Sequence, residues 1–205
     1  MKHLLIALAA ATMLWGCSSS NGHKTVKPLP AGYSLEQLTD CTVPAVFTSD
    51  DFSVTDSTLT LTVFSENFYD AVEVQQMQAG DTLVFQDRAI VVDDIDDADG
   101  ILTVNGGIEQ GGAYLQPADG GTYRGLQLDD HSVYTRLGKV TLPVAANLVI
   151  VDCGEEPDVP SDTITTHSHR YLAEAKGWRR DFSELNTRVL IEHGIITQIV
   201  RHWIP

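Results

Sequence analysis

Basic residues are few: 13 Lys and Arg stand against 28 Asp and Glu in 205 residues, a formal net charge of −15. Nucleic-acid binders present basic stripes, so this balance argues against DNA or RNA as a partner. It also disfavours adhesion to an anionic lipid surface through the protein's own charge. Cysteine is scarce as well: Cys17, Cys41 and Cys153 are the three, and no two stand at C-x-x-C spacing. The thiol-redox signature is therefore missing. The sequence has no G-x-S-x-G, no H-E-x-x-H and no phosphate loop, which removes the common hydrolase, metallopeptidase and nucleotide-binding signatures. The apolar run from Leu4 to Trp15 is too short to cross about 30 Å of hydrocarbon as a helix.

What is present at the N-terminus is more specific. Lys2 gives a positive start, the run Leu4–Trp15 follows, and then comes Leu14-Trp15-Gly16-Cys17 before a serine run, Ser18-Ser19-Ser20. A charged start with a short apolar core reads as a signal peptide. The four residues ending at Cys17 resemble the lipobox of bacterial lipoproteins, in which the Cys becomes the lipid-bearing first residue. Trp15 departs from the small side chain usual in that family. The resemblance implies a signal peptide over 1–16, lipidation of Cys17, a flexible tether over 17–32 and a place in the cell envelope, anchored at the outer membrane. Two or more acyl chains, each gaining about 0.8 kcal/mol per buried methylene, hold a domain at a bilayer durably. The rest of the chain resembles small lipoproteins of Gram-negative anaerobes in overall pattern, a likeness that implies no activity.

An envelope setting permits disulfides. With Cys17 acylated, Cys41 and Cys153 remain as an even pair, expected to bridge and to contribute on the order of 4 kcal/mol by constraining the unfolded chain.

Strand periodicity dominates the middle of the sequence. "STLTLTVF" alternates Leu59, Leu61 and Val63 with Thr58, Thr60 and Thr62, the period of two of a half-buried strand. Leu83–Phe85 and Ala89–Val92 flank a Gln-Asp turn, and Ala98–Gly100 turns the chain into "ILTVNGG", two hairpin signals. Shorter strand candidates are Ala113–Leu115, Thr122–Leu126, Ser132–Leu137, Lys139–Leu142 and Asn147–Val151. Ser34 three residues before Gln37 has capping-box spacing and predicts a short helical turn. An acidic linker over 156–166 contains Pro157 and Pro160 near its start. Ser168 to Gly177 has the cap, helix formers and stop of a short helix. "TRVLIEHGIITQIVRHW" reads as a hairpin about His193-Gly194. The expected fold is mainly β, an antiparallel β-barrel or sandwich over 33–155, with a short C-terminal helix and terminal β-hairpin (167–205) docked on it.

Candidate chemistry is sparse. Asn105, Glu109, Gln110, Asp129, Asp130, His131 and Tyr134 gather among glycines and could share one end of a barrel. A carboxylate beside an imidazole can form an acid–base pair, so Glu109, Asp129, Asp130 and His131 are the catalytic candidates. Asn105, Glu109, Tyr134, Arg179 and Arg180 are the binding candidates, the two arginines belonging to the one basic cluster, with Arg170 and Lys176 around Trp178. No cofactor is expected. The acidic run Asp93–Asp99 fails as an EF-hand, because Ile95 and Gly106 stand where acidic ligands are needed. His167 and His169 share one side of an extended segment without a third ligand nearby.

Taken with the lipobox resemblance, these patterns imply an envelope protein of binding or assembly type, carried on a lipid anchor, with a possible protein partner and no defined reaction. The first alternative is an acidic inhibitor of a basic enzyme. It resembles lysozyme-inhibitor lipoproteins in size, anchor and charge, though "GGAYLQ" and "GGTYRG" only echo their S-G-x-x-Y stretch. The second is a small hydrolase with a carboxylate or Asp-His site.

Overall fold

The computed structural model describes residues 22–152, the backbone of 165–167, Leu172, residues 182–202 and Ile204. The architecture is mainly β. In chain order the first strands are β1 (Thr25–Val26), β2 (Cys41–Val46), β3 (Phe52–Ser53), β4 (Thr58–Glu66) and β5 (Phe68–Asp70), followed by a short helix, α1 (Ala71–Gln75). Next come β6 (Thr82–Phe85), β7 (Arg88–Val91), β8 (Ile95–Ala98), β9 (Ile101–Val104), β10 (Ala113–Ala118) and β11 (Thr122–Leu126). The long strand β12 (Tyr134–Asp152) precedes β13 (Thr165–His167), β14 (Thr187–Glu192) and β15 (Ile195–Arg201).

Five of these strands close a barrel. β12 pairs antiparallel with β4 through Tyr134–Pro143 and parallel with β15 from Val144 onward; β15, β14, β2 and β4 complete the ring. One strand can serve two neighbours in this way because it breaks register twice, near Gly138 and between Val144 and Val149. Gly138 holds φ 151°, a conformation open to glycine at little cost. The three strand candidates expected between Ser132 and Val151 are thus one bent strand. The terminal hairpin is present and supplies two staves of the barrel.

The alternation of β4 does what its sequence predicts: Leu59, Leu61 and Val63 are fully buried and pack with Val43, Phe47, Val189 and Ile199. Full burial of each such side chain contributes about 1.5–3 kcal/mol. Below the barrel core, Arg201 and Asp152 form a buried ion pair, with Arg201 Nε donating to Asp152 Oδ1 at 2.9 Å. Phe182 stacks on Phe47 with centroids 4.3 Å apart and lies under the Arg201 guanidinium at 5.1 Å.

Residues 67–133 form a second unit with its own core, in which Tyr69, Leu83, Phe85, Val104 and Leu115 are fully buried. Its sheets are β1-β6-β7 and β5-β11-β10-β9-β8. The barrel core draws on residues from Leu38 to Ile199 and the second core on residues from Val26 to Val133. Three hairpins, β6–β7, β8–β9 and β14–β15, use two-residue turns with both central φ values positive: Gln86-Asp87, Asp99-Gly100 and His193-Gly194. Turns of this hand match the twist of the strands they join.

The expected tether also differs in its described part. β1 lies parallel to β6, Val26 is fully buried, Lys24 N donates to Asp81 Oδ1 at 2.9 Å and Leu29 N donates to the Phe68 carbonyl. The apolar Val26 and Leu29 in "KTVKPLPAG" find a sheet edge to complete, so residues from about His23 belong to the fold. Leu35–Gln37 forms the expected helical turn, as 3-10 helix, without a bond from the Ser34 side chain. The signal peptide and Cys17, most of the acidic linker, the helix expected at Ser168–Lys176 apart from Leu172, and Arg179 and Arg180 lie outside the described residues.

Cys41 carries a free thiol, and its expected partner Cys153 lies outside the described residues.

Candidate functional site

β2 and β4 pair only at Ala45–Val63 and Val46–Thr62. Beyond that point the two strands part, and the chain before β2 crosses the gap, with Tyr33 Oη donating to the Phe64 carbonyl. The gap opens into a cleft of about 710 Å³ between barrel and inserted unit, within the range of small-ligand sites. Leu29, Pro44 and Phe68 give it apolar walls; Tyr33, Glu66 and Arg188 supply polar groups.

These polar groups are held in fixed positions. Thr187, Val189 and Ile191 face the barrel core, so the pleat turns Arg188 to the other face of β14, where it is half-buried. Arg188 Nη1 donates to the carbonyls of Glu184 and Thr187 at 2.9 and 3.0 Å, and Nη2 donates to Tyr134 Oη at 2.6 Å. Glu66 closes β4 opposite Tyr134, and its Oε1 accepts from Ser132 Oγ. Among the described residues, Glu66 and Arg188 form no ion pair with each other. Burial pushes the Tyr33 phenol up to about 12; Cys41, Tyr134 and Glu66 add to the rise and Arg188 opposes it. Tyr134 is raised chiefly by burial, with Arg188 again opposing. Both phenols stay neutral near pH 7 and serve as hydrogen-bonding groups.

Of the residues singled out in the sequence, Tyr134 alone joins this site. Asn105 follows β9 and braces a turn: its Oδ1 accepts from the amides of Asp93 and Asp94, and its Nδ2 donates to the Val91 carbonyl. Glu109 accepts from Tyr114 Oη at 2.8 Å. Its carboxyl is held below the usual range by its own backbone amide and then by Tyr114, the opposite of what a general acid needs. Asp129 and Asp130 sit in a turn at φ 60° each, and neither pairs with His131. The Asp–His pairs among the described residues are His23–Asp81 and His193–Asp40, at 4.0 and 3.4 Å. Hence the four catalytic candidates make no acid–base pair. No group of three or more His, Cys, Asp or Glu among the described residues could hold a metal. The acidic run lies on and beside the edge strand β8, where Asp96 and Asp97 are exposed; charge on an edge blocks pairing with another chain.

The sequence reading missed Tyr33, Glu66, Ser132 and Arg188. One signal was available: an arginine between inward-facing Thr187 and Val189 must leave the core, and a β-branched strand that carries one has reason to place it. The fold and site define a barrel with an inserted β unit and a ligand-sized cleft at their junction. The chain matches no family model, no curated protein and no solved structure. No helix among the described residues is long and apolar enough to cross a membrane.

Proposed function

We propose that the chain is a lipid-anchored envelope protein of binding or assembly type, acylated at Cys17 and held at the outer membrane, and that it receives its ligand in the cleft between barrel and inserted unit. The observation that carries this reading is the pair of opposite charges, Glu66 and Arg188, that line one cleft without neutralising each other. Buried or half-buried charges usually pair; two that each rest on a neutral hydroxyl leave their charge for a ligand. The Leu14–Cys17 stretch supports the anchor. The test uses the full chain in detergent, immobilised and exposed to envelope extract, beside an Ala118→Trp variant whose indole fills the cleft. Ligand or partner retained by the first and lost by the second is the expected result; equal retention by both removes the cleft from the function. An acylated mass that disappears in Cys17→Ala checks the anchor.

The acidic-inhibitor reading draws on a different observation, the exposed carboxylates along β8. A partner held there is released by salt and is indifferent to Ala118→Trp.

A further inference from the structure

We infer that the ligand of this cleft is a small zwitterion of amino-acid or short-peptide chemistry, its ammonium group taken by Glu66 and its carboxylate by Arg188. The inference rests on the cleft being the binding site and adds the class of ligand.

Three features carry it. The first is supply of donors. A guanidinium has five N–H groups; three from Arg188 are engaged, by Glu184, Thr187 and Tyr134. Two remain for a carboxylate, the acceptor whose planar geometry suits Arg. The second is spacing. Tyr134 faces Glu66 across the ladder and binds Arg188 through its hydroxyl, so the two charges share one neighbour yet stand beyond ion-pair distance of each other. A ligand with a positive and a negative group a few bonds apart fits between them. The third is the lining: Asp119 adds a second carboxylate to the cleft, while Leu29, Pro44 and Phe68 offer apolar surface to a side chain. A simple anion meets two repelling carboxylates, and a simple cation leaves Arg188 without a partner.

The test measures binding of leucine and trileucine to the full chain in detergent by calorimetry, each probe also as its N-acetyl and C-amide derivative. Expected is binding of at least one free probe, weakened about tenfold or more by either blocking group, since each removes one charge-assisted contact. Free leucine binding as well as trileucine assigns the site to amino acids; preference for trileucine assigns it to peptides. In Glu66→Gln the free and N-acetyl forms bind alike, while the penalty for C-amidation stays. Arg188 also braces the turn before β14, so Arg188→Lys is judged only with its sheet spectrum intact, and the blocked probes on the unaltered protein decide the matter without it. Equal binding of free and blocked forms overturns the inference, as does tighter binding of the C-amide or no binding of either free probe. Failure here, with capture still abolished by Ala118→Trp, leaves the cleft as a binding site for another ligand class.

Discussion

Glu66 and Tyr134 face each other across the β4–β12 ladder, so the chain leaves the barrel and re-enters it at one rung. The next rung is shared by the inserted unit itself, where Asn67 N donates to the Val133 carbonyl at 2.9 Å. Facing residues in a sheet lie about 5 Å apart, a gap that a tight turn can span.

The barrel is accordingly expected to survive excision. Replacing residues 67–133 by a two-residue Asn-Gly turn leaves the five staves and their core in place, and far-ultraviolet circular dichroism with urea unfolding checks this. A cooperative transition is expected; a chain with no transition shows that the barrel depends on the insert.

Asp152 and Arg201 are almost fully buried, 4% and 3% exposed. Asp152→Ala removes the carboxylate that Arg201 contacts in this buried setting, and is expected to cost about 3–5 kcal/mol. Urea midpoints measure it, and a loss under about 1 kcal/mol would refute the assignment of this pair as a buried contact.

Tyr33 sets an alkaline limit. Its phenol has an ordinary value of 10.0 and is raised to about 12 in the fold. Below pH 10 it is neutral in both states and its contribution is complete; above that the unfolded chain ionises first, and stability falls until pH reaches about 12. Denaturant midpoints in that window should drop less steeply in Tyr33→Phe. Identical slopes in the two proteins would assign the alkaline loss to other groups, Tyr69 among them, whose phenol burial also raises.

Gly112 has no room for a side chain. A Cβ there would stand 1.8 Å from the Val104 carbonyl oxygen, backbone that cannot step aside alone. Gly112→Ala is expected to lower stability by about 1–3 kcal/mol or more, while Gly111→Ala, with open space but a φ of 84°, loses only the cost of its conformation, about 1 kcal/mol. Equal losses would contradict this packing.

Cys41 should react as a thiol in protein isolated without reductant. Burial, and then Asp40, raise its pKa, so alkylation is slow at neutral pH and accelerates as pH rises. Peptide mass mapping that finds Cys41 in a disulfide would contradict its free thiol.

Local patterns were legible in the sequence because their causes are local. The Leu–Thr alternation of β4 and the turns at Gln86-Asp87, Asp99-Gly100 and His193-Gly194 each lie within a few residues. The division into two cores was not legible, because it depends on Glu66 meeting Tyr134, and nothing in either residue's surroundings announces that partner. β12 looked like three strands since Gly138 and Pro143 interrupt its texture, although the barrel uses those interruptions to turn one strand from β4 to β15. The cleft failed to show for the same reason: Tyr33, Glu66, Ser132 and Arg188 lie far apart in sequence and meet only in the folded chain. The glycine-flanked acids drew attention by their density, and in the structure Glu109 bonds Tyr114 while Asp129 and Asp130 sit in a turn.

The position of β15 carries a consequence for the order of assembly. The inserted unit has all its strands once Leu126 has been made, whereas the barrel lacks a stave until Arg201 arrives. During synthesis the later half of β12 waits for a parallel partner that comes some fifty residues afterwards, and long-range pairing of this kind is slow. The insert can thus mature first and shield one side of a sheet that is still open, so the unit interrupting the barrel in sequence precedes it in time.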